Sequence, residues 1–230
     1  MVEGVTVQRH TLALRIIHWV NFAAMVLLLI TGFEISGLYE LGGKNVLGFF
    51  NNVHELHVWI GGFWLAAVII NIYYLSITGA IQWEIPNIWG IKYLYAETMA
   101  WLGFRSGPGE PIKYDVDKKK FIRKVDPGVW IDFWGFAILT LLIGLTGVMQ
   151  GFPDFLTKVG FHFLYTWIGW LGSIFGVNDP MIATRILHLF LAYLFVALII
   201  LHVYSMAILH YLSPMVTGKH KLNAEEIVKA

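Results

Sequence analysis

Residues 182–209 read IATRILHLFLAYLFVALIILHVYSMAIL, an apolar run with one charge, Arg185, and with histidines at 188 and 202. A hydrocarbon core about 30 Å thick takes about 20 apolar helical residues to cross, and this stretch is long enough. Imidazoles inside such a run are costly to bury in lipid, which marks them as functional candidates. His188 and His202 stand fourteen residues apart. That is about 21 Å of helical rise and nearly four whole turns, so both project from almost one helix face at two depths.

Three more stretches, 14–33, 54–77 and 129–149, meet the same length criterion. The composition agrees with them: 57% of the 230 residues are hydrophobic and only 13% are charged. Such a chain is expected in lipid rather than in water. A net charge of +1 gives no footprint for nucleic acid. There is no cysteine, which excludes disulfides, iron-sulfur clusters, thiolate zinc sites and covalently attached haem. The first apolar run has no small-residue cleavage site behind it and is read as a retained span.

The segments between the runs differ in charge. The N-terminal tail, the segment 78–128 and the C-terminal tail hold thirteen of the sixteen basic residues; only Lys44, Lys158 and Arg185 fall on the other side. By the positive-inside rule both termini and the 78–128 segment are expected in the cytoplasm, with the protein in the cytoplasmic membrane. The segment 151–181 contains FLTKVGFHFLYTWIGWLGSIFGV at 155–177. A fifth span there would send the C-terminal lysines outward, so it is read as one or two short helices along the outer membrane surface. Residues 78–128, with Pro108, Pro111 and Pro127, read as an ordered cytoplasmic connection. The fold expected is all-α, one domain over 1–230, built as a transmembrane four-helix bundle.

With this topology the histidines pair by depth. His18 lies at the cytoplasmic end of the first span, level with His202, and His57 lies at the outer end of the second, level with His188. The topology came from lysine and arginine counts alone, so the match carries information. Four histidines in two pairs, with no cysteine and no clustered carboxylates as rivals, point to two bis-histidine haem sites stacked across a bilayer. One such histidine alone is more often a hydrogen-bonded structural residue. His54 competes with His57, three residues away; Gly61 favours His57 by leaving room for a flat macrocycle one turn on. Arg15 and Arg185 each precede a proposed ligand by three residues, where an arginine either pairs with haem propionates or anchors the helix at the interface. Gly144 and Gly147 are read as helix-packing residues, and His10, His162, His210 and His220 as interfacial or solvent residues. Asp132 is a candidate for proton handling or a helix anchor.

Several of these features occur together in one family. Arg15-x-x-His18-Trp19-x-Asn21, Thr31-Gly32, His57-x-x-x-Gly61 and the His188–His202 pair followed by Val203-Tyr204 resemble the di-haem cytochrome b subunit of respiratory nickel-iron hydrogenases, formate dehydrogenases and thiosulfate-type reductases. The resemblance covers all four spans. It implies two b-type haems on His18, His57, His188 and His202, and an iron-sulfur subunit and a catalytic subunit docked on the outer face. It also implies exchange of electrons with menaquinone or a similar quinone near the cytoplasmic side, with proton uptake or release there. The alternatives are a stand-alone quinone-linked cytochrome b of the superoxide-oxidase kind and, from another class, a proton-relay transporter. The transporter should show broken helices or repeats, and neither is evident in the sequence.

Overall fold

Each apolar run is preceded by a residue whose side chain can close the first turn of a helix, and each is closed that way. In the computed structural model, which describes residues 5–38 and 52–228, the helices are α1 (Leu12–Ile35), α2 (Val53–Ile77), α3 (Ile88–Trp101), α4 (Pro127–Gly151), α5 (Pro153–Lys158), α6 (Phe163–Ile174), α7 (Pro180–Ile208) and α8 (Leu212–Thr217). The Thr11 hydroxyl accepts from Leu14 N at 3.2 Å, and Asn52 Oδ1 from Glu55 N at 2.9 Å. Asp126 Oδ1 accepts from Gly128 N at 2.7 Å, and Asp179 Oδ1 from Met181 N at 2.7 Å and Ile182 N at 3.2 Å. Pro127 and Pro180 open α4 and α7, where a missing N–H costs nothing. These caps start the four long helices one or two residues before the expected positions 14, 54, 129 and 182.

α1, α2, α4 and α7 are long and apolar enough to cross a membrane, with mean hydropathies of 2.0, 1.8, 1.8 and 2.6. Only 11% to 17% of their most apolar stretches is buried. A water-soluble bundle would invert that ratio, so these helices present their apolar sides outward to lipid, as a multi-pass membrane protein must. α6, with 12 residues, is too short to cross. The segment 151–181 thus forms two short helices, α5 and α6. Lys44 and Lys229 of the charge count lie outside the described residues.

Two compact units divide the chain. One comprises His18–Ile69 and Phe136–Leu201. Its centre is Ala24 of α1, Trp64 of α2 and Phe195 of α7, with Phe136, Leu139 and Ile143 of α4 packed against them. Trp64 and Phe195 meet edge to face with ring centres 5.9 Å apart.

The other unit comprises Met1–Ile17, Ile70–Gly135 and His202–Ala230. It contains strands that the all-α expectation did not include: β1 (Thr6–Gln8), β2 (Lys113–Asp115), β3 (Lys120–Arg123), β4 (Lys219–Lys221) and β5 (Ile227–Val228). β1 pairs antiparallel with β4, Thr6 opposite Lys221, and β2 pairs antiparallel with β3 and parallel with β5. Val7, Tyr114 and Leu222 form a small core between the sheets. Strands of two to four residues paired across most of the chain leave no periodicity to read locally. His220 is not a solvent residue: its Nε2 lies 2.9 Å from Glu226 Oε1, and the side chain is 12% exposed.

This unit also buries charge. Arg9 is 5% exposed, with its guanidinium carbon 4.3 Å over the Tyr211 ring. Burial pushes the Glu84 carboxyl up to about 7, with Lys124 and Arg9 pulling the other way. The folded state therefore holds this proton more tightly than the unfolded chain does. The stability it contributes is complete below the ordinary value of 4.5 and is lost as pH rises through about 7. The apparent unfolding temperature of the detergent-purified protein is expected to fall across that window, and Glu84→Gln to flatten the fall. An unchanged slope in the variant would remove Glu84 as its source.

Candidate functional site

His57 sits one turn into α2 and His188 two turns into α7. Their ring centres are 6.3 Å apart and their planes cross at 81°. Rings so placed are not stacked. Two imidazole nitrogens, each about 2 Å from a shared metal, would put the ring centres about 6 Å apart, so this spacing suits one axial ion between them.

The hydrogen bonds decide which nitrogen each ring offers. His57 Nδ1 is 2.8 Å from the Thr31 hydroxyl of α1, and His188 Nδ1 is 2.8 Å from the Thr146 hydroxyl of α4. Each hydroxyl has one hydrogen, and each spends it on its own helix: Thr31 donates to the Leu27 and Leu28 carbonyls, Thr146 to those of Leu142 and Ile143. The threonine oxygens are therefore acceptors, both histidines carry their proton on Nδ1, and both Nε2 lone pairs are left for a ligand. A hydrogen bond of this kind fixes the tautomer and orientation of a metal-bound imidazole and raises its basicity.

The residue after each threonine completes the cradle. A Cβ on Gly32 would stand 3.2 Å from His57 Cε1, and one on Gly147 would stand 3.3 Å from His188 Cε1. Glycine lets each ring lie against the neighbouring helix. The pair Thr-Gly thus occurs twice in equivalent roles, at 31–32 and 146–147. Gly147, expected from the sequence to serve helix packing, clears the His188 ring. Gly144 does pack helices, since a Cβ there would come within 2.9 Å of Leu65 Cδ2. Thr-Gly also occurs at 78–79 and 217–218, so the dipeptide alone carries no signal, and its meaning depends on which helices face each other.

The choice between His54 and His57 has a geometric answer: His54 is exposed, and His57 faces Thr31 and His188. A Cβ at Gly61 would meet Leu28 Cδ2 at an ordinary 3.9 Å, so no protein atom of the described residues requires glycine there. His18 belongs to the same unit and meets Trp19 edge to face with ring centres 5.5 Å apart. His202 belongs to the other unit, where its Nδ1 is 3.3 Å from Oδ2 of the buried Asp132. That carboxylate accepts from Nδ1–H and so orients the His202 ring. Arg15 donates through Nη1 to the Val216 carbonyl, and its Nε is buried without a partner among the described residues. Arg185 is exposed.

Among the described residues no group of three or more histidine, cysteine, aspartate or glutamate side chains could hold a bare metal ion. Two axial imidazoles suffice where a macrocycle fills the other positions of an iron, and the His57–His188 pair fits that donor set. No curated protein matches the chain. The model of the prokaryotic cytochrome b561 family matches residues 9–218, most of the chain, so this protein belongs to that family of membrane proteins, which transfer electrons on b-type haem.

Proposed function

We propose that the chain is a di-haem cytochrome b that relays electrons between a docked iron-sulfur and catalytic subunit at one membrane face and the quinone pool near the other. The observation that carries this reading is the His57–His188 pair, with both Nδ1 protons committed to threonine and both Nε2 atoms left to bind. A b-type haem held there supplies a one-electron iron couple. The chain's own residues set its potential through burial and through the threonine bonds to the two imidazoles.

A second haem on His18 and His202 rests on the sequence resemblance. It is supported by the fourteen-residue spacing on α7, which repeats the His188 face about 21 Å along the helix, and by Asp132 orienting His202. The Asp132 carboxylate, 3.3 Å from His202 Nδ1, supports proton uptake there on quinone reduction. The basic residues favour both termini, and therefore this second site, on the cytoplasmic side of the cytoplasmic membrane. Arg15 is proposed for a propionate, with its unpartnered Nε as support. The outer partner, a hydrogenase, formate dehydrogenase or sulfur-compound reductase, rests on the sequence resemblance.

Redox titration of the purified protein is expected to resolve two b-type components of equal amplitude. Thr146→Val removes an acceptor from His188 at nearly constant volume, making that imidazole a weaker donor and favouring the reduced iron. One midpoint should rise by on the order of 60 mV, the equivalent of a tenfold change for a one-electron couple, while the other stays in place. Reduced protein in vesicles should be reoxidised by an added naphthoquinone. A single component in the wild type, or no reoxidation, would remove the relay or its quinone partner respectively.

A further inference from the structure

α3 lies between two spans, and both of its sides are apolar. One side packs on the protein: Gly90, Tyr93 and Ala96 are buried. The Gly90 position is pressed against the Trp130 ring of α4, so closely that a Cβ there would fall 2.0 Å from Trp130 Cη2. Trp130 Nε1 donates to the Trp83 carbonyl at 2.8 Å and Trp134 Nε1 to the Glu84 carbonyl at 2.9 Å, fastening the chain ahead of α3 to the first turns of α4. The other side, Ile88, Ile91 and Tyr95 at helical spacing, continues past the helix end into Leu102 and Phe104, and each of these is more than half exposed. A contiguous apolar stripe of this size is not left to water.

Neighbouring elements of the same unit also expose apolar side chains. Ile77 at the end of α2, Ile85 just before α3 and Ile131 in the first turns of α4 are likewise more than half exposed. The chain leading into α3 is tied through Trp130 and Trp134 to the first turns of α4, a helix long and apolar enough to cross a membrane. Lys92 is four residues after Ile88 and three before Tyr95, on the edge of the stripe, and makes no ion pair among the described residues. It also lines a cavity of about 520 Å³ together with Lys113 and Arg123. Arg123 stacks 4.2 Å over the Trp89 ring, and Lys113 Nζ donates to the Glu225 carbonyl. The acids of the cavity are Glu225, which is exposed, and Glu110, whose carboxyl is pushed up by burial and by Glu226.

We propose that stripe and cavity together are a binding site for an anionic phospholipid of the leaflet at this end of the spans. Its acyl chains lie along Ile88, Ile91 and Tyr95, and its phosphate is held by Lys92, Arg123 and Lys113. Insertion of one face into the acyl boundary and attraction of cations to anionic headgroups are the two terms that hold an interfacial helix. The assignment requires only that the chain is a membrane protein, and it stands apart from the haem relay.

The absence of cysteine makes the test direct. Full-length protein carrying a spin label at Ile91→Cys or Tyr95→Cys, with Lys120→Cys as the aqueous reference, is reconstituted into phosphatidylglycerol vesicles with haem absorbance as the check on folding. Collisions with oxygen should exceed those with a water-soluble nickel chelate at 91 and 95 and fall below them at 120. Aqueous behaviour at 91 and 95 overturns the proposal. In native mass spectrometry, wild-type protein should retain phosphatidylglycerol over phosphatidylcholine by about fivefold, and Lys92→Gln should lose most of that preference, the effect of one basic residue at an anionic surface. Equal retention of the two lipids, or displacement by millimolar glycerol phosphate, overturns the site.

Discussion

Under the proposed di-haem reading, His188→Ala is expected to bring the purified protein from about two b-type haems per chain to about one, and His202→Ala to do the same, since each variant would lose one of the proposed histidine ligands. The reason lies in how His57 and His188 are held. His57 and His188 come from different helices and meet with ring centres 6.3 Å apart, each oriented by a threonine on a third or fourth helix. Nothing else in the described part of the site can replace a lost imidazole: His54 is three residues away and exposed. His54→Ala should accordingly leave the haem content unchanged. Pyridine haemochrome assays on the four proteins decide the matter, because retention of both haems in His188→Ala would take the haem away from the His57–His188 pair. No haem in the wild type, despite adequate supply during expression, would end the electron-transfer reading and leave the histidines as structure or a proton path.

Gly90→Ala is expected to be among the most damaging single-methyl additions in the chain. The added carbon would lie 2.0 Å from Trp130 Cη2 and 2.2 Å from Cζ3. The rigid indole cannot yield by a rotation at its tip, and its Nε1 is held to the Trp83 carbonyl at 2.8 Å. Either α3 lifts off α4 or Trp130 leaves its place and its hydrogen bond, at a cost of about 1–3 kcal/mol for overpacking and about 1 kcal/mol more for the lost bond. The apparent unfolding temperature should drop by several degrees. The same substitution made in a Trp130→Leu background should cost much less, because the opposing ring is gone. Equal costs in the two backgrounds would mean that the damage arises from helix propensity or elsewhere.

Much of the fold was legible because lipid imposes a simple code. A span must be long, apolar and helical, since every backbone group needs an internal partner. Four runs satisfied this, and their starts were off by only one or two residues because the capping side chains Thr11, Asn52, Asp126 and Asp179 were not read as such. Asp126-Pro127 and Asp179-Pro180 are signals that could have corrected two of them. The short strands were invisible for a different reason: β1 finds β4, and β5 finds β2, across distances in sequence that no local window covers.

The sequence by itself determined that this protein has four apolar spans and that histidines sit at helical spacing within them, because hydrophobic length and the 3.6-residue period are properties of each segment taken alone. Only the tertiary structure decided that His57 rather than His54 meets His188, that Thr31 and Thr146 leave both Nε2 atoms open, and that Gly32 and Gly147 give the rings their space. It likewise decided that α3 keeps an apolar side turned away from the protein. These are facts about which helix faces which, and they come from packing between segments far apart in sequence, where a hydroxyl, a missing Cβ and an imidazole have meaning only as neighbours.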